Sequence, residues 1–334
     1  MLKLYKLMFF SAMVTGSLIA ISAYSWLTMW IGLEINLLSI IPLFKSHMNQ
    51  FPAEATLKYF ITQALASAII LFSIIFSMNT NFFVWNEFWT MSMNSAFLMK
   101  LGAAPFHSWM PEVAEGLTWM NNLILMTWQK IAPIILIMYN MDMPLFFSTI
   151  IILSSILGGI YGLNQISLRK ILAYSSITHI AWMLASLLNN QMIWLIYFMI
   201  YSLISANIIM IFSFLNIFYL NQLFNMLNNN KMIKWMFIMN FFSLGGLPPF
   251  LGFLPKWLVI NFLINNKFYT LSLILIIFTL LTLFFYTRIT FSTLMFKMNE
   301  NLIKIHKFSK FNWTFLNILM LMSLFICTMI FTFL

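Results

Sequence analysis

Leu271-Ser-Leu-Ile-Leu-Ile-Ile-Phe-Thr-Leu-Leu-Thr-Leu283 contains no charge and no every-other-residue alternation. A strand of a membrane β-barrel would alternate apolar and polar positions. An unbroken apolar run that reaches about 20 residues with its flanks is instead a membrane-spanning helix. The rest of the chain repeats this pattern. Of its 334 residues 62% are hydrophobic and 7% charged, with mean hydropathy +0.94, whereas a soluble domain carries about 25% charged residues. The fold class is therefore all-α, a polytopic transmembrane helix bundle.

Length and hydropathy place about eleven spans, near 4–22, 25–44, 57–78, 92–110, 117–139, 145–164, 171–188, 192–217, 234–265, 269–289 and 312–333. The whole chain, 1–334, reads as one transmembrane domain. The loops test that count. When they are assigned alternately to two sides, the N-terminal side collects Lys3, Lys6, Lys45, Lys58, Arg169, Lys170, Lys231, Lys234, Arg288, Lys297, Lys304, Lys307 and Lys310. The other side collects Lys267 alone. This asymmetry is the positive-inside rule, and it explains the net charge of +10. A nucleic-acid groove would need basic residues clustered with aromatic ones, and the cations here are scattered between apolar runs. The single cysteine, Cys327, excludes an internal disulfide and a cysteine-ligated cluster. No cleavable signal peptide is expected, since the first apolar run passes directly into the second.

Two segments interrupt the helical pattern. One is Lys100-Leu-Gly-Ala-Ala-Pro-Phe-His-Ser-Trp-Met-Pro111; the other is Gly245-Gly-Leu-Pro-Pro-Phe-Leu-Gly-Phe-Leu-Pro-Lys-Trp257. Gly and Pro break helices there. Non-helical backbone at membrane depth is tolerated only where protein buries it or where it lines water. The spans carrying these breaks start from opposite sides. That points to two inverted repeats, each with a broken helix, over about 1–140 and 145–290, followed by a C-terminal helix at 312–333.

Four ionisable residues lie deep inside apolar spans: Glu34, Lys100, Lys130 and Lys256. Each charge costs roughly 2.5–3.5 kcal/mol at the centre of a bilayer. Such groups face a bundle interior or a wet cavity and mark ion or proton paths. One acid and three amines with no redox ligand nearby read as proton-transfer groups, since buried lysine, unlike arginine, releases its proton readily. Lys100 is the natural partner of Glu34. The bland alternative is a structural ion pair that fixes helix register, although three lysines on three spans exceed that need. His107 and His179 are candidate relays, weighed against packing or interface histidines, because neither has a second ligand at metal spacing. Arg169 and Lys170 read as topology anchors. Glu112 and Glu115 read as solvated interfacial acids, with Glu112 placed to cap a short helix after Pro111. The chain has no nucleotide-binding glycine motif, no Cys-x-x-Cys and no His/Glu metal pair. Electrons are thus expected to move elsewhere.

Five stretches carry a resemblance: Trp30-Ile-Gly-Leu-Glu-Ile-Asn36, Lys100 to Val113, Thr127-Trp-Gln-Lys-Ile-Ala-Pro133, Leu168 to His179, and Gly245 to Lys256. In this order and spacing, over essentially the whole chain, they resemble the antiporter-like membrane-arm subunits of respiratory complex I (NADH:ubiquinone oxidoreductase), in particular the chain 2 type of animal mitochondria. The resemblance implies two inverted five-helix repeats, with Glu34, Lys100, Lys130 and Lys256 on the acid and lysine positions of a proton channel. It implies neighbours, chain 4L on one side and chain 4 on the other, together with accessory subunits and lipids. It implies no cofactor on this chain, with NADH, FMN, iron–sulfur clusters and ubiquinone handled by other subunits. The implied location is the mitochondrial inner membrane, N-terminus in the matrix and C-terminus in the intermembrane space. The animal type lacks three N-terminal helices of the bacterial pattern, so lipid or neighbouring subunits must seal the shortened bundle. A free-standing cation/proton antiporter and a structural membrane scaffold are the alternatives. The former needs a substrate-ion site rich in acids or unwound carbonyls, and Glu34 is the one acid available.

Overall fold

The computed structural model describes residues 4–45, 50–79, 83–188, 190–227, 231–248 and 250–295. The expected C-terminal helix at 312–333, Cys327, Pro249 and Lys3, Lys297, Lys304, Lys307 and Lys310 lie outside the described residues. The order is α1 (Leu4–Ser22), α2 (Trp26–Phe44), α3 (Gln50–Asn79), α4 (Phe83–Leu101), α5 (Trp109–Gly116), α6 (Trp119–Met126), α7 (Trp128–Met138), α8 (Pro144–Gly162), α9 (Leu168–Leu187), α10 (Gln191–Leu215), α11 (Leu220–Leu227), α12 (Lys231–Gly245), α13 (Phe253–Asn265) and α14 (Tyr269–Met295). Among the described residues the one β-type pairing is an isolated bridge between Ser167 and Tyr219.

Seven of these segments are long and apolar enough to cross a membrane, counting Trp119–Met138 as one, and Met232–Gly245 and Phe253–Asn265 are shorter apolar helices. Their outer faces carry exposed large apolar side chains such as Leu65, Phe72, Leu273 and Leu280. In water such a surface would aggregate; in lipid it is the solvated face. Inside, hydroxyls return to their own helix. Ser17, Ser73, Ser154 and Thr293 each donate to the carbonyl three residues earlier, so small polar residues sit in apolar spans with their donors satisfied.

The chain divides into two compact units, Met1–Ser154 and Ser155–Leu334. In the N-terminal unit α1 and α2 lie closest together. A Cβ on Gly32 would approach the Ala20 backbone nitrogen to 2.6 Å, so the two backbones touch where a side chain would hold them apart. α3 packs on α2, α4 and α5, and α7 packs on α4, α6 and α1. In the C-terminal unit α10 contacts α9, α12 and α13, while α14 lies against α12 and α13.

Apart from shifted helix ends, such as α3 beginning at Gln50 and α14 running to Met295, the expected spans and the observed helices differ in three places. The fourth span starts earlier, at Phe83, and resumes as α5 after its break, because Asn86 and Glu87 dilute the apolar signal without stopping the helix. The fifth span is interrupted at Thr127, whose hydroxyl donates to Leu123 O at 2.6 Å while α7 begins afresh at Trp128. A short helix, α11, occupies what reads as a loop; Leu223 on it is fully buried. The ninth span breaks where Gly and Pro cluster, between Gly245 and Phe253.

Candidate functional site

In the N-terminal unit, Lys100 stands in the last turn of α4, just before the break. The carbonyls at that helix end have other donors. Gln63 Nε2 donates to Lys100 O at 3.3 Å, Trp109 Nε1 to Met99 O at 3.1 Å, and Ala103 N to Leu98 O at 3.0 Å. Gly102 makes the turn with φ +73°. The Lys100 side chain, 7% exposed, lines a cavity of ≈ 10 Å³ with Leu33, Asn36, Tyr59, Gln63 and Gln129. That volume is about the room one water molecule needs. Glu34 lies within electrostatic reach of Lys100. It is half-buried, and its enclosed Oε1 has no hydrogen-bond partner among the described residues. Glu34 and Lys100 thus interact electrostatically without forming an ion pair, and Glu34 does not line the Lys100 cavity.

Lys130 is 2% exposed and occupies the first turn of α7, three residues past the interruption at Thr127. Next to it, Gln129 and Asn36 exchange two hydrogen bonds, each 3.1 Å, and the Tyr59 hydroxyl donates to Gln129 Oε1 at 3.3 Å. Asn36, Tyr59, Gln63 and Gln129 were assigned no role from sequence. The signal was present for two of them: Asn36 follows Glu34 by two positions, and Gln129 adjoins Lys130.

In the C-terminal unit, Lys256 follows its break and reaches back across it. Its Nζ donates to Gly245 O at 2.9 Å and to Leu244 O at 3.5 Å, the carbonyl end of α12. Gly246, with φ +77°, makes room: a Cβ there would meet Lys256 Cδ at 2.8 Å. Next to this segment, a second cavity of ≈ 10 Å³ is lined by His179, Tyr197, Tyr201, Ser243, Leu244 and Pro255. His179 Nδ1 and the Tyr197 hydroxyl are 2.8 Å apart, and the Tyr201 ring lies 4.8 Å from the imidazole. His179 is thus drawn into the lysine-bearing part of this unit. His107 is not. It is half-exposed on the first break, beside its own Pro105 carbonyl, and does not line the Lys100 cavity. Glu112 is on the surface, paired with Lys58 at 2.6 Å, as an interfacial acid would be. Among the described residues no three of His, Cys, Asp and Glu gather as a metal site.

Residues 23–282 match the family described as NADH:quinone oxidoreductase/Mrp antiporter, TM. NADH-ubiquinone oxidoreductase chain 2 of Anopheles gambiae is 50% identical over 90% of this chain and 89% of its own length. The chain belongs to the NADH-ubiquinone oxidoreductase chain 2 family. The chain 2 protein of Aedes aegypti is 48% identical over 99% of both chains, and that of Lemur catta 39% identical over 83% of this chain and 82% of its own. The fold is shared more widely than the sequence. Respiratory complex I from Thermus thermophilus contains a chain that superposes with TM-score 0.87 at 21% identity, over 96% of this chain and 78% of that one. A chain of the Mrp complex from Dietzia sp. superposes with TM-score 0.78 at 13% identity, over 96% of this chain and 74% of that one. Like its chain 2 relatives, the protein is a multi-pass membrane protein of antiporter-like fold.

Proposed function

We propose that this chain is a membrane-arm subunit of a proton-pumping NADH:ubiquinone oxidoreductase and carries part of its proton path on Glu34, Lys100, Lys130 and Lys256. The observation that carries the reading is that each of three buried lysines lies within about one turn of a helix interruption: Lys100 before Gly102, Lys130 after Thr127, Lys256 after Gly252. Interrupted helices supply unpaired backbone dipoles and room for water at membrane depth, which is what an ionisable group needs there. His179 is the candidate relay in the C-terminal unit, by its place beside the Lys256 segment. The matrix side is assigned to the N-terminus by the cation asymmetry.

NADH, FMN, iron–sulfur clusters and ubiquinone belong to other subunits in this reading, and this chain holds no cofactor. Chain 4L and chain 4 are its neighbours. In support, Pro105 and Ser108 expose irregular backbone on the surface of the N-terminal unit, and such backbone in a bilayer requires cover from protein or water. A free-standing antiporter finds less support, since the Mrp likeness is one of fold at 13% identity.

The test is NADH-driven proton uptake by the assembled complex in sealed vesicles. Lys130→Met and Lys256→Met should each lower the rate of NADH-driven proton uptake by about a hundred-fold, the low end for removing a proton-transfer group from its path. Variants that assemble and pump as the parent overturn the reading.

A further inference from the structure

The reciprocal amide pair between Asn36 and Gln129 has no place in the relay just described, and it occupies a telling position. Gln129 is the second residue of α7, immediately before Lys130. α6 ends at Met126 and α7 begins at Trp128, so the helical ladder is interrupted at Thr127. Lys130 N donates to Thr127 O at 3.2 Å, a tight three-residue turn in place of the usual four-residue bond. The amide pair adds a constraint at this interruption from a neighbouring helix. Asn36 Nδ2 donates to Gln129 Oε1 and Gln129 Nε2 donates to Asn36 Oδ1, both at 3.1 Å, with the Tyr59 hydroxyl as a further donor to Gln129 Oε1. Turning either amide alone would set donor against donor and acceptor against acceptor, so the pair has one self-consistent arrangement or its double flip. Asn36 is 4% and Tyr59 3% exposed.

We infer that Gln129 is a positioning residue: through its double hydrogen bond to Asn36 it fixes the start of α7, and with it the direction of Lys130, relative to the Glu34 segment of α2. The inference rests on the proton-path reading. Both amides also line the cavity of Lys100, so the clamp ties together the acid-bearing and both lysine-bearing segments of this unit. Its neutrality matters. A carboxylate in the same place would form a fixed buried ion pair with a neighbouring lysine and hold its proton, whereas an amide pair offers fixed dipoles and takes up no charge.

The experiment uses the assembled complex in vesicles and reads protons moved per NADH oxidised across a pH series, with the thermal midpoint measured alongside. Gln129→Met and Asn36→Leu keep side-chain size and remove the clamp. Each should lower the ratio by about three- to ten-fold, the scale of losing one or two buried hydrogen bonds, and displace its pH profile. The double variant should be no worse than the poorer single one, because both break the same interaction. The exchanged pair, Asn36→Gln with Gln129→Asn, should restore the ratio to within about two-fold. A purely packing role would lower the thermal midpoint and leave ratio and pH profile unchanged; that result, or an exchanged pair no better than the singles, overturns the inference. Should the singles fail to assemble, Tyr59→Phe removes the extra donor alone. A smaller displacement of the pH profile in the same direction supports the clamp, and an unmoved profile overturns it. Lys130→Met separates the two levels: if it pumps normally the proton path itself fails, and if it stops pumping while Gln129→Met does not, the clamp alone fails.

Discussion

At the Gly/Pro break of the N-terminal unit Lys100 precedes the break, and at that of the C-terminal unit Lys256 follows it. Lys100 closes α4, but the carbonyls around it are already taken by Gln63, Trp109 and Ala103. Its side chain lines a cavity instead. Lys256 opens the second half of its span and bends back over Gly246 to the free carbonyls of Leu244 and Gly245. Both lysines therefore belong to the negative end of a half-helix, Lys100 by its position in the last turn of α4 and Lys256 through its Nζ. One is placed there by register, with neutral side chains capping the carbonyls. The other is itself the cap. The same backbone problem has been solved once with an amide and an indole, and once with the charge.

That difference can be broken experimentally. The largest expected effect is at Gly252, where a Cβ would collide with the Ser243 carbonyl oxygen. Gly252→Ala should prevent the C-terminal unit from closing its loop, and native electrophoresis should show little assembled complex. Normal assembly would mean that the Lys256 loop is less tightly fixed than its geometry indicates.

A second comparison sets the two lysines against each other. Lys256→Met strands two buried carbonyls, at about 1–3 kcal/mol for an unsatisfied buried group. Lys100→Met strands no carbonyl and removes a buried ammonium that makes no ion pair among the described residues, so the desolvation cost it relieves offsets the charge lost. Thermal denaturation of the complex should show Lys256→Met clearly destabilised and Lys100→Met close to the parent, with proton pumping lost in both. Equal midpoints would erase the distinction.

The turn glycines sharpen it further. Gly102 and Gly246 both have positive φ, so alanine costs roughly 1–2 kcal/mol at either site from backbone strain. At Gly246 the new Cβ also presses on the Lys256 side chain. Gly246→Ala should therefore reduce proton uptake beyond its effect on stability, while Gly102→Ala should reduce the two in proportion. The smallest effect belongs to Lys58→Ala. Its pairing with Glu112 lies in the open, 53% exposed on both sides, where ion pairs contribute little. No measurable change in pumping or midpoint is expected, and a loss of pumping would give that pair a role in proton delivery.

Hydropathy alone determined that this chain is a helix bundle in lipid, because only helices or closed barrels satisfy the backbone there and nothing in Leu271–Leu283 alternates. Gly and Pro disclosed two of the three interruptions, and the cost of burying charge singled out Glu34, Lys100, Lys130 and Lys256. The break at Thr127 was hidden, since Thr, Trp and Gln are all tolerated in helices and the interruption is set by packing on neighbouring helices. His107 and His179 were indistinguishable in one dimension; the fold buries one against Tyr197 and leaves the other half-exposed. Likewise no local pattern tells which carbonyls Gln63 or Lys256 will reach, or that Asn36 and Gln129, 93 residues apart, will pair. Sequence reads the energy of each residue against its solvent. Which polar groups satisfy one another depends on distances between helices, and only the tertiary structure fixes those.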